Sequence, residues 1–183
     1  MFDVVLNKGF NLAQASNRDP AIFSAPYGWS HVRNSILHPV QSIQNTGGWV
    51  AWFDEQILPF QAVDWARRGF DWGGAENMTW FPNYLGHFVE GGITHRRLAE
   101  KLSSQGVPGS YAVAGVVTLG AAVINEAYTH PGLQQGTGGT VADLYIFDLG
   151  GVIAFSFDPV ARFFSETLHA DVWPSQAALS FPG

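Results

Sequence analysis

The sequence predicts an all-α domain: a compact helical bundle with an irregular, aromatic-rich region at its N-terminal end. Three observations predict it. Leu85, Phe88, Val89 and Ile93 recur at spacings of three and four, the period of one helix face. Residues 111–124 and 141–157 are two long apolar stretches joined by a glycine-rich connection, and both exceed the usual length of a strand. Pro39, Pro82 and Pro159 each precede an apolar run, and proline is accommodated at the first turn of a helix, where its missing N–H is not needed.

The chain of 183 residues fits one domain. It divides into an irregular segment over residues 1–36 and a bundle over residues 37–183. Asn17-Arg18-Asp19-Pro20 and Ala25-Pro26-Tyr27-Gly28 are turn signals in the first part, with one short helix expected near residues 4–12. His38-Pro39 opens the next helix, Gly47-Gly48 interrupts it, and it resumes through Trp49 and Trp52 until Pro59. Residues 60–80 carry Trp65, Phe70, Trp72 and Trp80 beside Gly73-Gly74, which suits a loop or short helix lying against a surface. From Pro82 a helix is expected to about residue 103, with close backbone packing at Gly91-Gly92.

Gly106-Val107-Pro108-Gly109 reads as a turn, and Ser110 as the N-cap of a helix to about residue 128. Ala112, Gly115, Gly120 and Ala121 on that helix allow close approach of a neighbour. A glycine-rich loop follows over residues 129–140, then the second apolar segment. Asp158-Pro159 starts a last helix, reaching about residue 169.

Composition narrows the setting. Charged residues make up 13% of the chain, against about 25% in ordinary domains, while there are 7 Trp and 14 Phe. Little charge and many aromatics suit a protein that touches lipid or a large partner surface. A net charge of −6, with only 9 Lys and Arg and no basic stripe, excludes nucleic-acid binding by phosphate neutralisation. With no Cys, disulfides, thiolate catalysis and cysteine-ligated zinc are excluded. No apolar secretory leader is expected in residues 1–10.

Residues 102–161 hold no Lys or Arg, whereas Arg96, Arg97 and Lys101 precede them and Arg162 follows. That is the charge layout of an apolar helical hairpin with both ends on one side of a membrane. A membrane-embedded or membrane-associated bundle is therefore expected, with membrane lipid or a membrane protein as partner. The oligomeric state is left open.

Ionisable groups interrupt the apolar segments at few places. His87 and Glu90, three apart, share a face if their helix is regular. Glu126 closes the segment from 111, with His130 four residues on, and Asp143 and Asp148 lie in the segment from 141. Buried carboxylates must be paired or protonated, so packing of these segments would bring the groups together. The candidate catalytic set is His87, Glu90, Glu126 and Asp143, for acid/base or metal-assisted hydrolysis. The candidate metal ligands are His87, Glu90, Glu126 and His130, donors suited to zinc or iron. Neither HExxH nor the paired ExxH of di-iron bundles is present, so a hydrogen-bonded network that sets helix register is the plainer reading.

No organic cofactor is implied. Gly136-Thr137-Gly138-Gly139-Thr140 lacks the lysine of a phosphate loop, and there is no GxSxG. His38, His95 and His169 read as surface or cap residues.

At Leu85-Gly86-His87-Phe88, at Glu126, and from Asp143 to Asp148-Leu149-Gly150-Gly151, the chain resembles VanZ-like and YfiM-like bacterial envelope proteins. That resemblance spans roughly residues 80–157. Asn83-Tyr84 stands where those proteins have Asp-Lys, and Asp148 where they have Asn. With His38-Pro39 added, residues 35–157 also resemble an uncharacterised bacterial envelope domain family. The resemblance implies a location in the bacterial cell envelope rather than a particular chemistry.

Overall fold

The computed structural model describes residues 25–58, 80–129 and 138–170. Seven helices account for almost all of them, and among the described residues there is no strand. The all-α expectation therefore holds. The expected helix near residues 4–12 and the aromatic stretch 60–79 lie outside the described residues.

Helix α1 is Ala25–Leu37. The irregular segment expected through residue 36 thus gives way to helix at its end. Pro26 sits in the first turn, where proline is tolerated. The absence of a side chain at Gly28 lets α1 lie directly on the backbone of Ala127. Tertiary contact decides a stretch that local turn signals describe poorly.

Helix α2 is Pro39–Asn45. It ends at Thr46, and the glycines that break it, Gly47 and Gly48, have φ of 102° and 91°, a region favourable to glycine alone. Helix α3 starts as Trp49–Trp52 and widens into π-helical turns over Phe53–Ile57.

Helix α4 is π-helical over Trp80–Glu90 and α-helical over Gly91–Ser104. Asn83 Nδ2 and Tyr84 Oη donate to the carbonyls of Gln56 and Ile57 at 3.1 and 2.7 Å. These bonds satisfy C-terminal carbonyls of α3 that have no helical partner. Helix α5 is Ser110–Thr129, after the expected turn.

Helix α6 begins at Gly138–Val141, is π-helical over Ala142–Asp148 and α-helical over Leu149–Phe155. Trp52 Nε1 donates to the Gly138 carbonyl at 2.7 Å and anchors its start. Helix α7 is Asp158–Arg162 followed by π-helical Phe163–Thr167.

Three apolar clusters hold the bundle. Leu98, Ala99, Leu102 and Ala114 join α4 to α5, with Tyr111 and Val117 against them. Val32, Ala122, Ala127 and Leu144 join α1, α5 and α6. Ile43, Trp52, Val141, Ala142 and Phe147 pack α2 and α3 on α6, with Tyr84 and Phe88 from α4. Helices α5 and α6 each contribute buried residues to two of the three.

Small residues set the approach of α4 and α6. A Cβ on Gly92 would collide with the Phe155 ring, and one on Gly151 with the Phe88 carbonyl oxygen. The close packing expected at Gly91-Gly92 is present, with Phe155 as the group that fills the space.

Residues 110–127 and 138–155 are each long and apolar enough to cross a membrane, and 50% and 56% of them are buried in the bundle. The outward residues of α5 include Ala112, Val116 and Gly120, and those of α6 include Tyr145, Ile146 and Ile153. None of these is charged.

Candidate functional site

Beneath the α1–α4–α5–α6 contacts lies a buried cluster of one imidazole and three carboxylates. His87 comes from the π-helical part of α4, Glu126 from the C-terminal end of α5, and Asp143 and Asp148 from the π-helical part of α6. In turns closed by i→i+5 hydrogen bonds, residues five apart project to nearly the same side. Asp143 and Asp148 are five apart and both reach His87. In an ordinary α-helix they would point well away from each other.

His87 Nδ1 is 3.0 Å from Asp148 Oδ2, and the ring N–H donates to the carboxylate. One donor atom each from His87, Glu126 and Asp143 lie within 4.8 Å of one another. Thr140 Oγ1 donates to Glu126 Oε2 at 2.9 Å. That uses the hydroxyl's single proton, so His31 Nε2–H donates to Thr140 Oγ1, 3.2 Å away. The result is a relay from His31 on α1 through Thr140 to Glu126. Glu126 is 2% exposed and Asp148 1%.

The electrostatics follow from that burial. Desolvation alone would lower the His87 pKa, but the charge of Asp143, the hydrogen bond and charge of Asp148, and the charge of Glu126 raise it to about 10. The imidazole is therefore protonated at neutral pH. Burial pushes the Glu126 carboxyl above its usual range, a rise increased by the Asp148 charge and opposed by His87 and the Thr140 hydroxyl.

Of the sequence candidates, His87, Glu126 and Asp143 converge. Glu90 does not contribute a donor to the group. The shared face inferred from its i, i+3 spacing to His87 assumes α-helical turns, and both residues lie in π-helical chain. His130 lies outside the described residues.

His95 is corrected as well: it is not a surface residue but 1% exposed, with Nε2 3.0 Å from Ser156 Oγ. Its helix face is turned toward α6. His38 keeps its cap position and is exposed, as is His169.

The sequence candidates omitted Asp148, Thr140 and His31. Asp148 had a readable signal, an acid in an otherwise apolar run. Thr140 and His31 had none, since a threonine in a glycine-rich loop and a histidine in an apparently irregular segment carry no spacing information.

A second feature is a cavity of about 580 Å³ between α4 and α7, lined by Arg96, Arg97, Arg162, Glu166 and His169 among others. Arg96 bonds Glu100 at 2.6 Å and Asp158 at 2.7 Å, and its guanidinium lies 5.4 Å from the Tyr111 ring centre. These contacts tie α7 to α4.

Fold and site together define a class: an all-α domain built around a buried histidine–carboxylate cluster, with uncharged outer faces on its two most apolar helices. No family model, curated protein or solved structure matches the chain.

Proposed function

We propose that the chain is a membrane-associated helical domain of a bacterial cell envelope, with a structural or interaction role. The observation that carries this reading is the outer surface of α5 and α6. Val116 is 73% exposed and Ile153 53%, beside exposed Ala112, Tyr145 and Ile146. A helix packed on a soluble core ordinarily turns charged and polar residues to water, whereas these two turn aliphatic and aromatic ones outward.

The absence of Lys and Arg between residues 102 and 161, with basic residues on either side, supports the same reading. The resemblance to VanZ-like and YfiM-like proteins supports the envelope as the location. The test is fractionation of cells expressing the whole chain. Retention in the membrane pellet through a high-salt wash, with release by detergent, is expected. Recovery as a detergent-free monomer in the soluble fraction would refute the proposal.

Convergence of His87, Glu126 and Asp143 favours a second reading, a metal- or acid/base-dependent hydrolase acting on lipid or cell-wall material. It requires substrate to reach Glu126. Hydrolysis of phospholipid vesicles or peptidoglycan that Glu126→Gln abolishes would establish it, and inert behaviour toward both would remove it.

A further inference from the structure

We propose that His87, Glu126 and Asp143 form a binding site for one divalent cation of the Zn²⁺, Mn²⁺ and Fe²⁺ class, with Asp148 positioning the histidine. The inference is independent of the membrane reading and of any hydrolase activity.

The first ground is convergence. Three donors from three different helices, α4, α5 and α6, lie within 4.8 Å of one another. Ligand bonds to such a cation are about 2.0–2.2 Å, so modest side-chain rotations close the three donors on one ion. Their mixture of one nitrogen and two oxygens selects borderline cations. A soft ion would want sulfur, absent here, and Mg²⁺ or Ca²⁺ would prefer oxygen throughout.

The second ground is the partner of the histidine. Metal-bound imidazoles almost always donate their other ring N–H to a carboxylate or carbonyl, which fixes tautomer and orientation. The Asp148 Oδ2 contact to His87 Nδ1 at 3.0 Å is such a bond, and it leaves Nε2, once deprotonated, as the ring nitrogen able to take an ion. Thr140 performs the equivalent task for Glu126, at 2.9 Å.

The third ground is charge. Glu126, Asp143 and Asp148 are all at most 9% exposed, so three carboxylates share a buried space with one imidazole. A divalent cation supplies positive charge to these carboxylates, and the imidazole binds it in neutral form, any second ring proton passing to solvent. It also cross-links α4, α5 and α6 at a point where none of the apolar clusters joins all three.

The test uses the whole purified chain in the buffer or detergent that keeps it monodisperse, stripped with EDTA. Zn²⁺, and separately Mn²⁺, is titrated by calorimetry and the metal content read by mass spectrometry. One equivalent of at least one of the two per chain is expected. At a hundredfold excess over Kd the melting temperature should rise by roughly 5–10 °C.

Glu126→Gln and Asp143→Asn should abolish binding. Asp148→Asn should weaken it about 10–100-fold, the usual effect of losing an outer-shell partner. Glu90→Gln, outside the cluster, should bind as the parent does. Should the ligand variants not fold, Asp148→Asn and Glu90→Gln still decide the matter. Absence of saturable binding by the folded parent overturns the proposal, as does equal affinity in the Asp148→Asn and Glu90→Gln chains, which marks adventitious surface binding.

Discussion

Buried side chains with a polar duty set the behaviour of this protein at the scale of single residues. His95 is held neutral chiefly by burial, which outweighs the nearby Ala114 backbone and is reinforced by the Arg96 charge. Tyr111 stands edge-on at 6.0 Å and Ser156 accepts from its ring. Its folded pKa lies below the usual 6.5, so the unfolded chain binds the extra proton. Stability present above pH 6.5 is therefore lost as pH falls through the folded value. Thermal melts of the parent against His95→Gln across this window should show a steeper acid-side loss in the parent.

Thr140 offers a second test at this scale. Thr140→Val removes the donor to Glu126 and the acceptor for His31 while keeping the shape. A loss of about 1–3 kcal/mol is expected from groups left buried without that partner, measured by denaturant titration. Thr140→Ser should restore most of it.

At the scale of elements, the packing of α4 on α6 depends on glycine at defined positions. A Cβ on Gly151 would strike the backbone carbonyl of Phe88, which cannot move aside without shifting α4. A Cβ on Gly150 would meet the Phe88 ring at 3.4 Å, ordinary contact. Gly151→Ala should therefore destabilise by about 1–3 kcal/mol. Gly150→Ala should be neutral or stabilising by a few tenths, from its better helix propensity. Parallel denaturation curves of the two variants check this.

The π-helical turns belong to the same scale. They turn Asp143 and Asp148 to one side, and the i, i+3 rule that would place Glu90 beside His87 does not hold in such turns. They account for the difference between the site expected from α-helical spacing and the one observed.

For the whole molecule, the question is what covers the outer faces of α5 and α6. Val116→Asp and Ile153→Asp change exposed positions, so folded stability should move by no more than about 0.5 kcal/mol. Membrane affinity should fall about 10- to 100-fold for each, since burying one aliphatic side chain is worth about 1.5–3 kcal/mol. Vesicle flotation alongside circular dichroism separates the two effects. Loss of helix in these variants would instead place the residues inside the fold.

Much of the architecture was legible in the chain alone. The prolines at 39 and 159 and the break at Gly47-Gly48 are local signals, and local backbone preference suffices to produce the corresponding starts and turn. The period at Leu85, Phe88 and Ile93 marked a helix but not its buried face: Leu85 is exposed, and the face is carried by Gly92, His95, Leu98, Ala99 and Leu102. The acids in the uncharged segments marked which groups had to find partners.

Only the tertiary structure decided which of them meet. It made Ala25–Leu37 a helix by docking Gly28 on Ala127, buried His95 against Ser156, and brought His31 to Thr140. It also widened the turns that aim Asp148 at His87. Residue spacing encodes direction only while the helical repeat is known. Here the repeat itself changes wherever packing between distant segments stabilises a wider turn.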